Sequence, residues 1–376
     1  MNRFRDACLR ELQFIRGSAV ACLALFVLPA ASLLLMAAML SQGALRALPI
    51  GVVDEAHSPA SRAVLEAVVA QPELRVDSAY ASVAEADAAL RDGRIWAYIA
   101  IPHGFVPVMR GGEETLLIRS NAAYLSIGSV LERALERSVS GAVRAVWKDA
   151  EGLQGLGRQA MPQVQVSVLF NPQASFEWFL QALVQPAILH LFAACLGAYA
   201  MSRELGGIDG RAFARWRRES GGGWVALAAK FTPYLLVMGA WGAAWLIWLV
   251  GVRGWRVQGS LAMIWLGQWM LFAASMALSG VLVALVRKPA FAFSATALYA
   301  GSALAYSGGS LPIDGAPSWV RVWSQSLPFT HYLTLQMDQF LGAPVARSVG
   351  GLCLLLAYAA VAFAGCVWLV RRDRAP

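Results

Sequence analysis

At 376 residues, with 58% hydrophobic and only 14% charged, the chain carries far more apolar surface than one water-soluble core needs, and it reads as a membrane protein. The net charge of +8 does not read as a nucleic-acid surface: the arginines cluster beside apolar runs, no DNA- or RNA-binding motif accompanies them, and the positive-inside bias accounts for them. The five cysteines, Cys8, Cys22, Cys195, Cys353 and Cys366, lie within or beside apolar runs without CxxC spacing, which points to neither a disulfide framework nor a zinc site.

Residues 1–16 place Phe4, Cys8, Leu12 and Ile15 at helical spacing, with Arg3, Arg10 and Arg16 elsewhere around the wheel. This predicts a helix lying on the cytoplasmic membrane surface. Residues 17–40 are long enough to cross a hydrocarbon core of ~30 Å, with a kink expected at Pro29. The apolar run exceeds a signal-peptide core of about 7–15 residues, and no small-x-small site follows before Leu45, so an uncleaved anchor is expected.

From 41 to 177 the composition becomes that of a soluble domain. Strand-like runs (LPIGVV, LRVDSAY, IWAYIAI, TLLIRS) alternate with helical ones (SPASRAVLEAVVAQ, SVAEADAALRDG, FVPVMRG, YLSIGSVLERALERSVSGAVRAVWKDA), which predicts a small α/β domain inserted outside the cytoplasm between the first two spans. Asp54, Glu55 and His57, and separately His103, invite a metal or catalytic reading. A βα turn with a helix cap at Ser58 explains them without one.

Residues 178–370 hold the remaining spans: Trp178–Met201, Phe231–Val252, Ser260–Val286, Pro289–Tyr306 and Ser348–Val370. The fold class expected is therefore an α-helical polytopic membrane protein with six transmembrane helices and both termini cytoplasmic, 371–376 being a cytoplasmic tail. The second span carries Gln181, Gln185 and, near its midpoint, His190; an ionisable group at that depth faces the bundle interior, either bonded to a neighbouring helix or lining a transport path. Trp241, Trp245, Trp248, Trp255, Trp265 and Trp269 cluster in the third and fourth spans and their connection, as interfacial belt, as packing or as a wall for an amphipathic cargo; Trp241 and Trp269 are the candidates for the path. Ala273, Ser275, Ala277 and Ser279 mark a close helix contact. Region 307–347 is too polar to span and too apolar for an ordinary loop, and with Trp319, Val320, Trp323 and Leu327 on one helical face it predicts re-entrant or interfacial helices on the outer side.

Residues 203–230, RELGGIDGRAFARWRRESGGGWVALAAK, form the long charged, glycine-broken segment among these apolar blocks. Its excess of arginine places it in the cytoplasm. A helix around Ala212 to Glu219 would present Trp216 as an apolar anchor and Arg215, Arg217 and Arg218 as a charged rim to a cytoplasmic partner; alternatively the arginines enforce topology or touch anionic lipid.

The order of these parts, with RELQFIRG before the first span, LPIGVVDEAHSPASR opening the inserted domain, IWAYIAIPHGF, FNPQASFEWFL entering the second span and the SGG, LPI, APSW, LPFTHYL series near the end, resembles the ABC-2-type permease subunits of ATP-binding-cassette exporters over essentially the whole chain. Within that family it looks most like multidrug-type permeases with a large periplasmic domain. The resemblance implies efflux across a bacterial inner membrane, an ATP-binding-cassette ATPase subunit that carries the ATP and Mg, a second permease copy or paralogue, and a periplasmic adaptor where the cell has two membranes. It also implies that Arg203, Glu204, Arg211, Arg215, Trp216, Arg217 and Arg218 belong to the ATPase-coupling segment. Family members carry Arg-Glu-Arg/Lys-Glu-x-Gly-Thr after the second span; here Arg203 and Glu204 are kept and LGGIDGRAFARWRRESGGG replaces the rest, so coupling through a divergent helix is expected.

No GxxxxGK[ST] is present, so any nucleotide hydrolysis belongs to another subunit. A membrane enzyme is disfavoured because GxSxG, HExxH and paired intramembrane carboxylates are missing from the sequence. The other rival is a non-transporting scaffold or sensor that holds a partner through the inserted domain.

Overall fold

The computed structural model describes residues 2–40, 47–103, 116–120, 131, 133–142, 176–205, 211–221, 223–310, 313 and 315–372, with the backbone alone at 2, 176 and 211. The chain divides into two compact units, Met1–Met39 with Trp178–Pro376, and Leu40–Glu177. The first unit opens with α1 (Asn2–Gly17) and α2 (Ala19–Met39).

The second unit is built on β1 (Leu48–Asp54), α3 (Pro59–Val69), β2 (Leu74–Ala79), α4 (Val83–Arg91), β3 (Ala97–Ile101) and β4 (Leu117–Ser120). The sheet order is β2-β1-β3-β4; β1 runs parallel to both β2 and β3, and β4 joins antiparallel. Because β1 and β3 are covered on both faces, they read as continuous apolar runs rather than alternating ones. Ile50, Val52, Ile99 and Ile101 pack with Val64 and Val68 of α3 and with Leu131 and Leu135, while Val53, Tyr98 and Ala100 pack with Ala86 and Ala89 of α4 on the other face. At Gly51 a Cβ would sit 2.7 Å from the Tyr80 ring and 2.8 Å from Ile95, so any larger residue would have to displace those side chains. The Tyr98 hydroxyl donates to Asp87 at 2.7 Å and Arg119 pairs with the same carboxylate at 2.7 Å; these hydrogen bonds hold the Asp87 carboxyl below its ordinary range.

Asp54 is spent on local structure. Its carboxylate accepts from the N–H groups of Ala56 and His57 at 3.1 Å and from the Ser61 hydroxyl at 2.9 Å, and Ser58 with Ser61 forms a capping box ahead of Pro59. His103 Nδ1 lies 2.6 Å from the Glu55 carbonyl oxygen. Among the described residues no His/Cys/Asp/Glu group is arranged to hold a metal. Of the predicted helical runs, FVPVMRG and much of YLSIGSVLERALERSVSGAVRAVWKDA fall outside the described residues.

The first unit continues with α5 (Phe176–Leu205), α6 (Arg211–Ser220), α7 (Trp224–Val252, its last turn a π-helix), α8 (Leu261–Val286), α9 (Pro289–Tyr306), α10 (Ser318–Ser326), α11 (Pro328–Phe340) and α12 (Val345–Arg372). Five of the described helices, α2, α5, α7, α8 and α12, are long and apolar enough to cross a membrane. The third apolar helix begins at Trp224, not at Phe231, because the apolar stretch WVALAA continues the helix around buried Lys230. In α10, Trp319 and Trp323 are 68% and 40% exposed while Leu327 is buried; the shared face expected for them breaks because Leu327 leaves the helix as the N-cap of α11. Phe329, at the start of α11, stacks on His190 halfway along α5, and Gln339, near its end, accepts from Ser260 N at the head of α8. The α11 helix thus reaches from mid-bundle to one end.

Three prolines inside long helices share one solution. A helical proline lacks the N–H that would bond to the carbonyl four residues earlier, and a lipid-facing environment offers that carbonyl no water. Pro29 orphans Leu25, and the Trp241 indole N–H donates to the Leu25 oxygen at 2.8 Å. Pro186 orphans Ala182, and the Gln336 amide donates to it at 2.6 Å. Pro233 orphans Ala229, and the Cys8 thiol reaches it at 3.4 Å. The kink expected at Pro29 is a π-helical turn over Leu23–Val27, with Leu28 N–H bonded to the Leu23 oxygen. Trp241→Phe should cost about 1–2 kcal/mol by stranding a carbonyl, and the loss should largely vanish in a Pro29→Ala background, where residue 29 regains its N–H. Thermal unfolding of the four combinations in detergent measures that coupling; equal losses in both backgrounds contradict it.

Candidate functional site

Four helices meet at one end of the bundle: α1, the last turn of α5, α6 and the first turns of α7. Glu11 from α1 lies at their junction, its side chain 2% exposed. Its Oε2 accepts from Arg203 at 2.9 Å and its Oε1 from Lys230 Nζ at 2.5 Å. Lys230 also donates to Glu204 at 2.8 Å, and Arg203 stands 3.7 Å from the same carboxylate. The four groups, two acids and two bases, balance in charge. Isolated charges at this burial are strongly disfavoured, so the cluster persists only because each carboxylate meets a cation and each cation a carboxylate. Phe14 supports it from α1: the Arg203 guanidinium sits over its ring, 3.2 Å from the centroid. The Tyr234 hydroxyl approaches Glu11 at 3.5 Å.

Beside this cluster, α6 is amphipathic. Phe213 and Trp216 are buried with ring centroids 6.1 Å apart, while Arg215, Arg218 and Glu219 are exposed. Arg10 of α1 pairs with Glu219 at 2.5 Å, tying α6 to α1 from the solvent side.

These positions revise the residues expected to meet a partner. Trp216 is 2% exposed and fills this chain's own core, so it does not serve as a protruding anchor; period-3.6 spacing places Phe213 and Trp216 on the face that the bundle takes. Arg203 and Glu204 are engaged in the buried cluster. Arg217 is half-buried and bonded within the chain, and Arg215 and Arg218 remain outward. The side chain of Arg211 and residues 206–210 lie outside the described residues. Sequence reasoning missed Glu11, Lys230 and Tyr234. The one signal available was an acidic residue among arginines in α1 and a lysine inside an apolar helix, each of which needs an opposite charge.

The candidates for a transport path stand in the bundle interior. Ser275 donates its hydroxyl to the Leu271 oxygen at 2.6 Å, so His190 Nδ1, 2.8 Å from the Ser275 oxygen, is the donor of that pair. His190 is held between Phe329 and the edge of Tyr299, and its Nε2 has no partner among the described residues. Gln185 donates to Ser32 at 3.2 Å; the buried amide of Gln181 has no partner among the described residues. The two tryptophans make other contacts. Trp241 is committed to the Leu25 carbonyl. Trp269 lies against Gly239, where any Cβ would overlap its indole, and meets Trp265 edge-on at 5.7 Å. Trp241 thus bridges α7 to α2, and Trp269 packs in the seam where α7 and α8 approach closely at Gly239 and Gly242.

A search among curated proteins finds no match. A family model described as ABC-2 family transporter protein matches residues 21–368, a stretch that takes in α2, the sheet unit and the helices α5 to α12 down to Trp368. Members of this family are transmembrane transport components that work with ATP-binding-cassette ATPase partners. With that match over nearly its whole length, and five helices able to cross a membrane, the chain belongs to the ABC-2 transporter family.

Proposed function

We propose that this chain is the permease subunit of an exporter in the inner membrane of a bacterium, moving a drug-like, lipid or amphipathic cargo with ATP and Mg2+ handled by a separate ATPase subunit. The observation that carries this reading is the connection of α6 to the roots of the long helices. The outward Arg215 and Arg218 are what a cytoplasmic ATPase would grip; the inward Phe213 and Trp216 key α6 to the bundle; and the Arg10–Glu219 pair with the Glu11 cluster passes displacement to α1, α5 and α7 together. A rigid link of this kind turns nucleotide-driven motion of the partner into a shift between two packings of the bundle. A second permease copy or paralogue completes the path, to which His190, Gln181 and Gln185 contribute uncharged polar groups.

Parity supports a sixth crossing. Arg3 of α1 and Arg371 of α12 line one cavity, so the two chain ends stand at the same end of the bundle. An even number of crossings follows, and α9, with 18 residues or about 27 Å of helix, is the segment between α8 and α12 long enough to supply it. By the positive-inside bias, the arginines near both ends support reading that side as cytoplasmic and the inserted sheet domain as extracytoplasmic, where a periplasmic adaptor could reach it.

Arg215→Glu with Arg218→Glu should reduce co-purification of the ATPase, and cargo-stimulated ATP hydrolysis by the reconstituted complex, by at least about tenfold, while thermal stability stays unchanged because both side chains are exposed. Unaltered association and transport would discard α6 as the coupling element. A protein active with no ATPase at all would favour the scaffold reading.

A further inference from the structure

We propose a binding site for one anionic phospholipid at the end of the bundle that carries both chain ends. Two adjoining hollows, about 790 Å³ and 690 Å³, share Trp224 and Arg371. The first is walled by Arg3 and by the turn that leads into α7, and the second by Phe363, Val367, Trp368 and Arg372 of α12. Arg3, Arg371 and Arg372 are exposed, and none has an acidic partner among the described residues. The guanidinium of Arg372 instead lies 5.1 Å from the centre of the Trp368 ring.

The axial order of these groups selects the ligand. Phe363, Val367 and Arg371 follow one another at four-residue spacing, as do Ala364, Trp368 and Arg372, so each stripe runs about 12 Å from apolar to cationic. Trp224 and Trp368, 61% and 57% exposed, flank the step between the two halves. A free phosphate would use only the arginines and leave the apolar wall wet, and an acidic protein surface would leave it equally unpaired. A phosphodiester headgroup on Arg3 and Arg371, with its acyl chain along Phe363 and Val367, uses both halves at once. The absence of bulk in the turn admits the headgroup: Gly221 adopts φ +80°, and a Cβ at Gly223 would stand 3.2 Å from the Arg371 guanidinium. The site requires only that this end of the bundle stands at a membrane surface, and its occupancy is measured without ATP, so its failure leaves the exporter reading untouched.

The test is native mass spectrometry of the full-length protein titrated with dioleoyl-phosphatidylglycerol or dioleoyl-phosphatidylcholine. Preferential retention of one phosphatidylglycerol, at least about tenfold over phosphatidylcholine and shrinking as salt rises, is expected. Arg3→Gln with Arg371→Gln should weaken it about 25-fold, at about fivefold per arginine. Arg3→Lys with Arg371→Lys should keep most of it, which separates charge from misfolding, and Trp224→Ala with Trp368→Ala should weaken it with the arginines intact. Equal retention of the two lipids, full competition by millimolar inorganic phosphate, or unchanged preference in the double Gln variant would each overturn the site.

Discussion

Lys230→Met is expected to lower the stability of the full-length chain by about 3–5 kcal/mol, the range for removing one partner of a buried ion pair. The wild-type cluster balances Glu11 and Glu204 against Arg203 and Lys230; the variant leaves two carboxylates to one guanidinium, with Glu11 sealed at 2% exposure. Glu11→Gln combined with Lys230→Met removes one charge of each sign, restores the balance and recovers most of the loss, giving a coupling energy well above 1 kcal/mol in a double-mutant cycle. Arg10→Ala is the control: its pair with Glu219 is half-exposed, so its loss costs at most about 1 kcal/mol. Denaturation midpoints in detergent read these three and the single Glu11→Gln variant that closes the cycle. A Lys230→Met loss no larger than that of Arg10→Ala would mean that Glu11 reaches water and that the cluster is not the lock between α1, α5 and α7. On the proposed coupling through α6, Lys230→Met should also uncouple ATP hydrolysis from transport, because α6 would then move without the roots of the spans.

Gly197→Leu should force α5 and α8 apart. A Cβ at Gly197 would lie 2.6 Å from Met276 Cα and 2.8 Å from Met276 O, backbone atoms of the facing helix that no rotamer change can clear. Even Gly197→Ala is expected to cost about 1–3 kcal/mol, and the leucine more, since overpacking here must separate two helix axes. Gly301→Ala in α9, where nothing lies within 4 Å of the added carbon, is neutral or slightly stabilising because alanine favours helix. The measurement is again the unfolding midpoint in detergent. His190 and Ser275 span the same α5–α8 seam two turns from Gly197, so widening it breaks their hydrogen bond. A Gly197→Leu protein as stable as wild type would show that the seam has slack.

The small-residue stripe on α8 was legible in the sequence, with Ala273, Ser275, Ala277 and Ser279 announcing a close contact, but nothing local says that Gly197 of α5 comes against the Met276 backbone within that stretch. The same division runs through the prolines. Pro29, Pro186 and Pro233 predict three orphaned carbonyls from helix geometry alone. Their caps, Trp241, Gln336 and Cys8, come from other helices, with Trp241 216 positions from Leu25, Gln336 154 from Ala182 and Cys8 221 from Ala229. Trp241 accordingly stood open in the sequence among belt, packing and cargo wall, and only the structure shows its indole N–H donating to the carbonyl that Pro29 frees.

What the residues determine by themselves is everything that acts within a few turns: apolar length enough to span, the βαβ alternation around Val52 and Ile99, the Ser58 cap that absorbs Asp54, and the amphipathic face of α6. Which way that face turns, and which charges meet, belongs to the tertiary structure. Trp216 faces inward because the bundle offers it an apolar seat, and Glu11 finds Lys230, 219 positions away, because chain packing alone sets which buried charges can neutralise one another.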